Sequence, residues 1–178
     1  MAIGKLIKVY RKDIIVHILI IGGFLIYLFF FAAPLFDIIE KVRGESKLHS
    51  ISLPAETNNI QYFIDRYLTN GDTIVEITGW AFIKDKGSAN NQVYIVLKSS
   101  NRTDIFDTQT VIRPDVAENF KMPNLDLEYS GFTALIPARD IRNGKYTIGI
   151  YIRKGDVEAL QYTNRGLVKT KDGIEIAK

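Results

Sequence analysis

The sequence contains no cysteine and only two histidines, His17 and His49. The absence of cysteine excludes thiol nucleophiles, disulfides and zinc or iron–sulfur sites with cysteine ligands. Both histidines precede the part of the chain that the sequence predicts to fold as a domain, which excludes a Ser-His-Asp arrangement or a histidine-ligated metal in that domain. We therefore expect a protein that is not an enzyme and that uses no cofactor.

The predicted domain also lacks an excess of either charge. From Glu56 onward the chain has 16 Lys and Arg and 16 Asp and Glu, so its pI near 9.0 comes from the N-terminal part. A nucleic-acid surface needs basic residues clustered on the folded domain. Nucleic acid is therefore not among the expected partners.

Residues 14–36 form an apolar run of 23 residues without a formal charge. As an α-helix this run would be roughly 34 Å long, enough to cross about 30 Å of bilayer hydrocarbon. It is about twice as long as the apolar region of a secretory signal peptide, and it is not followed by an A-x-A cleavage site. The sequence therefore predicts an uncleaved signal-anchor, a single transmembrane helix whose partner is the lipid bilayer.

The charges beside this helix predict its orientation. Residues 1–13 carry four basic residues and one acid, whereas the stretch after the helix carries three basic residues among acids. Basic flanks stay in the cytoplasm, so we predict a cytoplasmic N-terminus and an extracytoplasmic C-terminal domain at the cell membrane of a bacterium. The predicted organisation is a basic segment (1–13), the transmembrane helix (14–36), a linker or stalk (37–57) and one β-rich domain (58–178).

Two adjacent glycines, Gly22 and Gly23, lie in the middle of the predicted helix. Small residues let a second membrane helix approach closely, so this pair is the candidate helix–helix contact. A complete G-x-x-x-G motif is missing, and a glycine pair tolerated in a lipid-facing helix is the alternative interpretation.

Beyond residue 57 apolar and polar residues alternate, the pattern of half-buried β-strands. Residues 60–68 and 73–83 flank an Asn-Gly turn, and Val75 and Ile77 lie on one face of the second strand. Residues 114–120 begin with proline and predict one short helical turn. The further predicted strands are 93–98, 105–112, 131–136, 145–153, 157–162 and 166–176. Seven or eight such strands predict an all-β fold, a small antiparallel Ig-like β-sandwich, with a barrel as the alternative.

Carboxylates are the main acid–base groups left in this domain. Asp104 with Asp107, and Asp115 with Glu118, are the closest pairs in sequence. Glycosidase chemistry needs two carboxyl groups roughly 5–10 Å apart in a cleft, one of them held protonated. The polar neighbours of these residues indicate ionised, hydrated side chains, so the catalytic site is expected to be absent.

Trp80 is the only tryptophan, and it lies on the strand face opposite Val75 and Ile77. Packing against other side chains is one interpretation, because tryptophan buries a large area. The other is an aromatic surface that stacks on a sugar ring or contacts a partner, to which Tyr94 and Tyr151 would contribute. These three residues are the candidate contacts for a ligand or partner.

Several segments, in order, resemble a β-sandwich module attached to bacterial glycosyltransferases and other proteins of envelope-polysaccharide synthesis. The resemblance implies a sandwich fold without a catalytic role, and an association with surface glycan. This chain carries a predicted membrane anchor where the related proteins carry a transferase domain. The segments are Ile64-Asp65, Gly79-Trp80-Ala81-Phe82, Arg113-Pro114-Asp115-Val116-Ala117, Gly131-Phe132 and residues 143–152.

These observations favour a membrane-anchored envelope protein whose β-sandwich binds or positions a surface polysaccharide or its biosynthetic machinery. The alternative is an accessory subunit of a membrane complex, which would contact a membrane protein partner through the glycine pair and the sandwich. A hydrolase that uses Asp115 and Glu118 is a third interpretation.

Overall fold

The computed structural model describes residues 16–28, 30, 47–48, 51–70, 73–122 and 124–177. The chain divides into two compact units, Met1–Arg43 and Gly44–Lys178. In the first unit, helix α1 covers residues 16–27, and its apolar side chains are mostly exposed. The described part of the chain contains no helix with the length and apolar character needed to cross a bilayer. The predicted basic segment, residues 1–13, lies outside the described residues. So do parts of the predicted transmembrane helix 14–36, namely residues 14–15, 29 and 31–36.

The second unit is built from two antiparallel sheets, as the alternating pattern predicted. One sheet has four strands in the order β2-β3-β7-β6, and the other has six in the order β1-β5-β4-β8-β9-β10. The described strands are β1 (Lys47–Leu48), β2 (Ile60–Asn70), β3 (Ile74–Ile83), β4 (Gln92–Lys98), β5 (Thr103–Asp107), β6 (Gln109–Val111), β7 (Gly131–Pro137), β8 (Gly144–Lys154), β9 (Val157–Lys169) and β10 (Ile174–Ala177).

The core lies between the two sheets. It contains the side chains at every second position of the strands, because these side chains face inward. Val75 and Ile77 of β3 are fully buried there, in the same cluster as Ile95 of β4 and Ile150 of β8. Burial of one such side chain contributes about 1.5–3 kcal/mol, so this layer is the main source of stability. The prediction of an all-β sandwich is confirmed.

A short helix, α2 (Pro114–Phe120), covers part of the outer face of the four-stranded sheet. Pro114 occupies its first turn, where the missing amide hydrogen costs no intrahelical hydrogen bond, and Asp115 follows it at the positive end of the helix dipole. The helix ends at Lys121, which adopts a left-handed conformation with φ 47°, and it buries Val116. The helical turn predicted at 114–120 is therefore confirmed. Two 3-10 turns, Glu128–Ser130 and Ala138–Asp140, flank β7.

The strand count and two boundaries differ from the prediction, since ten strands are described instead of seven or eight. The predicted strand 105–112 is divided between the sheets, because Thr108 interrupts it and donates its hydroxyl to the Val93 carbonyl at 2.7 Å. The two strands predicted within 157–176 are wrong in their limits. β9 runs unbroken through Gly166, which pairs with Thr147, and the turn comes only at 170–173.

Residues 51–57, which the sequence assigns to the linker, lie against the outer face of the six-stranded sheet. Ile51 and Leu53 pack on a buried cluster that includes Tyr94 and Tyr151. The Thr57 amide donates to the Leu160 carbonyl at 2.7 Å and fixes the end of this segment on β9. The outer face of the six-stranded sheet is thus partly covered by the chain itself.

Candidate functional site

An exposed aromatic surface lies on the outer face of the four-stranded sheet. Phe63 of β2 stands directly opposite Trp80 of β3 in the strand register, and Gly131 of β7 follows on the other side of Trp80. Phe63 is 55% exposed, whereas Trp80 is half-buried.

Trp80 packs into a small apolar cluster between the sheet and helix α2. Its ring stacks on Phe82 with centroids 5.8 Å apart, and the ring of Phe120 meets it edge-on at 5.3 Å. Val116 of the helix and Leu127 complete the cluster and are buried. The packing interpretation of Trp80 therefore applies to most of the indole, and part of the side chain remains accessible.

Arg113 crosses the same face and joins three segments. Its Nε and Nη2 donate to Asp115 at 2.8 and 2.7 Å, and its Nη1 donates to Asp65 of β2. The side chain passes over Gly131, where an added Cβ would lie 2.6 Å from the Arg113 Cγ and 2.5 Å from the Val111 carbonyl oxygen. The absence of a side chain at Gly131 thus allows the guanidinium to reach across the sheet.

We call Phe63, Asp65, Trp80, Arg113 and Asp115 the aromatic–charge surface. Apart from Phe63, its members belong to the segments that carry the resemblance described above, and the fold brings those segments together on one face. It combines an exposed ring with a guanidinium and two carboxylates in fixed positions, an arrangement suited to binding rather than to proton transfer.

The electrostatics of Asp115 do not suit a general acid. Hydrogen bonds from Arg113 lower the pKa of this exposed carboxyl below its ordinary value, so it is ionised at neutral pH. Glu118 is exposed on helix α2. Neither carboxyl lies in the buried, apolar setting that keeps a catalytic acid protonated.

The second pair, Asp104 and Asp107, is separated by the geometry of a strand. Residues three positions apart point to opposite faces of β5. Asp104 is buried and forms an ion pair with Arg102 at 2.5 Å, while burial raises the pKa of Asp107 beside Tyr94. The two carboxylates therefore do not face a common cleft.

Tyr94 and Tyr151 lie on the outer face of the other sheet, so the structure does not bring them together with Trp80. They are cross-strand partners whose rings stack 5.2 Å apart, and they are only 6% and 0% exposed. The Tyr151 hydroxyl donates to Glu158 at 2.8 Å. Burial, together with this hydrogen bond, raises the pKa of Tyr151 to about 12. Their predicted contact with a ligand stays a prediction, although both rings are buried and Ile51 and Leu53 pack against their cluster.

The glycine pair of the first unit lies on helix α1. A Cβ built at Gly22 or Gly23 would meet no heavy atom of the described chain within 4 Å. The neighbouring side chains Ile21 and Phe24 are exposed. Space for close approach of another helix is therefore present.

Phe63 and the Arg113 contacts were not identified from the sequence. A signal for Phe63 exists, because Ile60, Tyr62 and Ile64 supply the inward face of β2 and leave Phe63 as an apolar residue on the opposite face. The pairing of Arg113 with Asp65 joins residues 48 positions apart and has no local signal. Comparisons with the sequence profiles of protein families, with curated protein sequences and with solved structures find no match to this chain.

Proposed function

We propose that this chain is a membrane-anchored, non-enzymatic protein of the cell envelope whose β-sandwich binds a surface glycan through the aromatic–charge surface. The observation that carries the proposal is the exposed ring of Phe63 beside the half-buried Trp80, next to the Asp65–Arg113–Asp115 network. Aromatic side chains stack on the apolar face of a sugar, and charged groups bond its hydroxyls. The resemblance to envelope-polysaccharide proteins supports the same ligand class.

A role without catalysis is part of the proposal. The carboxylates of the aromatic–charge surface are both engaged by Arg113, and the pKa of Asp115 is lowered. A glycosidase needs one carboxyl group that remains protonated near neutrality. These contacts favour recognition of a glycan over its hydrolysis.

Membrane attachment and orientation rest on the sequence of residues 1–36. With the N-terminus in the cytoplasm and the domain outside, protease added to intact cells or spheroplasts is expected to remove residues 58–178. Immunoblotting with an antibody to the domain measures the loss, and a cytoplasmic protein that stays intact is the control. A domain that resists the protease until the membrane is broken would contradict the orientation and the surface-glycan function together.

Replacing Phe63 by alanine tests the binding surface. The exposed ring contributes little to folding, so Phe63→Ala is expected to keep the melting temperature and to weaken glycan binding on the order of tenfold, about 1.4 kcal/mol. Binding is measured with the full chain in detergent against immobilised polysaccharide released from the envelope of the cells that make the protein.

The matched control is Leu68→Ala, because Leu68 is on the same strand and is 51% exposed. It should leave glycan binding unchanged, since it stands opposite Glu76, away from Trp80 in the strand register. Equal binding by the native chain, Phe63→Ala and Leu68→Ala would show that the aromatic–charge surface does not bind the glycan.

Exposed apolar side chains favour a second candidate function, an accessory subunit of a membrane complex. Leu68 and Leu135 (42% exposed) flank Glu76 on the outer face of the four-stranded sheet, and the Gly22–Gly23 pair leaves space on helix α1. Copurification of the full chain in mild detergent separates the two functions. A stoichiometric protein partner favours the subunit, and bound polysaccharide favours the glycan-binding protein.

A further inference from the structure

An open groove lies at one end of the six-stranded sheet, away from the aromatic–charge surface. It is formed by the turn between β4 and β5 (residues 99–102) and by the segment that enters β8 (residues 142–146). These segments meet because β4 and β8 are antiparallel neighbours, with Lys98 opposite Thr147. The groove has a volume of about 600 Å³, which is within the usual range for small-ligand sites.

The lining of the groove is basic and polar. Among the described residues that line it there are three cations, four serines or asparagines, and no acid. Arg102 is balanced by its ion pair with Asp104. Within the described part of the chain, no carboxylate lies within ion-pair distance of Arg142 or Lys145. The groove therefore carries a net positive charge that is not neutralised locally.

One donor inside this region has no acceptor. The Nη1 atom of Arg102 is buried and has no hydrogen-bond partner among the described residues, although Nη2 of the same guanidinium contacts Asp104. A buried donor without an acceptor is unfavourable, because its lost hydration is not replaced by another hydrogen bond. Because this atom is buried, the exposed Arg142 and Lys145 are the cations that a ligand in the groove can reach.

Both walls of the groove are held by hydrogen bonds. The Tyr146 hydroxyl donates to the Arg142 carbonyl at 2.9 Å, which fixes the turn that carries Arg142. On the other wall the Ser99 amide donates to the Arg102 carbonyl at 2.8 Å. The backbone that carries the cations is thus ordered, so that little backbone entropy is lost when a ligand binds.

We infer that this groove is a second binding site, which takes the anionic group, a phosphate or a carboxylate, of a charged saccharide. Arg142 and Lys145 bind the anion, and the serine and asparagine side chains bond the sugar hydroxyls. This inference rests on the proposed glycan-binding function and adds the ligand class, an acidic rather than a neutral glycan.

The test uses the full chain in phosphatidylcholine nanodiscs and three forms of one polymer: dextran, carboxymethyl-dextran and phosphorylated dextran. The variant Arg142→Ala with Lys145→Ala removes the two cations that have no ion pair among the described residues. The control, Lys84→Ala with Lys86→Ala, removes the same charge at the opposite end of β4. We expect the native chain to bind both charged polymers at least tenfold more tightly than dextran. The groove variant should lose that difference, and the control should keep it.

Each result has a defined meaning. Equal weakening by the groove variant and the control would show non-specific attraction and overturn the inference, as would failure of the native chain to bind either charged polymer. Tighter binding to phosphatidylglycerol vesicles than to phosphorylated dextran, lost in the groove variant, would assign the groove to lipid headgroups and overturn the saccharide ligand. The proposed function is tested separately by Phe63→Ala on envelope polysaccharide, so failure of one experiment leaves the other interpretable.

Discussion

Replacing Gly79 by alanine is expected to destabilise the domain by about 3 kcal/mol, a large part of the 5–15 kcal/mol typical of small proteins. A Cβ at this position would lie 2.2 Å from the Phe63 carbonyl oxygen and 3.1 Å from the Ile64 Cα. Both are backbone atoms, so no side-chain rotation relieves the clash. Thermal or urea unfolding of the full chain in detergent measures the effect.

The close approach at Gly79 has a local cause. Strand β2 carries an irregularity between Ile64 and Arg66, and Ile64 is the residue that stands opposite Gly79. Bulges bend a strand, and glycine is common where another backbone comes near. Thr78→Ala, the adjacent half-exposed position of the same strand, is the matched control and should cost less than about 1 kcal/mol. If the two variants unfold at the same temperature or urea concentration, β2 and β3 can move apart at Gly79 without loss of stability. The close contact would then not contribute to the stability of the domain.

The features that depend on local sequence were predictable. The alternation of β3 placed Val75 and Ile77 on one face and Trp80 on the other, and the structure has them on opposite faces. Helix α2 followed from Pro114 at its first turn and an acid beside it. Such signals need only the residues of one element, because side chains alternate along a strand and termini have their own chemistry.

The division of residues 103–111 between two sheets could not be predicted from its own pattern. Both parts are short and neither alternates clearly, and the break depends on Thr108, whose acceptor is the Val93 carbonyl of another strand. The course of β9 through Gly166 is similar, because the pairing with Thr147 determines where this strand continues. Long-range pairing sets strand limits that local composition leaves open.

For the candidate site, the sequence identified the type of residue better than its surroundings. Tyr94 and Tyr151 share a face, but both are buried in a cluster against which Ile51 and Leu53 pack. The alternation of residues along a strand predicts which side chains point to the same face. It does not predict which other segment of the chain packs on that face. The network of Arg113 was missed for the same reason, since its partner Asp65 comes from another strand.

Trp80→Ala is expected to act mainly on folding. Truncation of a large aromatic residue in a core costs about 3–5 kcal/mol. Trp80 keeps part of its ring accessible, so we expect the lower end of that range, about 3 kcal/mol. The loss comes from its contacts with Phe82 and Phe120, which join strand β3 to helix α2. Circular dichroism of the full chain in detergent during heating gives the shift in melting temperature.

Trp80→Phe separates the two roles of this residue. A phenyl ring keeps much of the contact with Phe82 and Phe120, so this variant should recover most of the stability that alanine loses. If Trp80 serves only to pack, Trp80→Phe should also bind glycan like the native chain. Weaker binding with normal stability would mean that the accessible edge of the indole touches the sugar together with Phe63. An unchanged melting temperature in Trp80→Ala would contradict the packing role, because the cluster beneath helix α2 would then hold without its largest member.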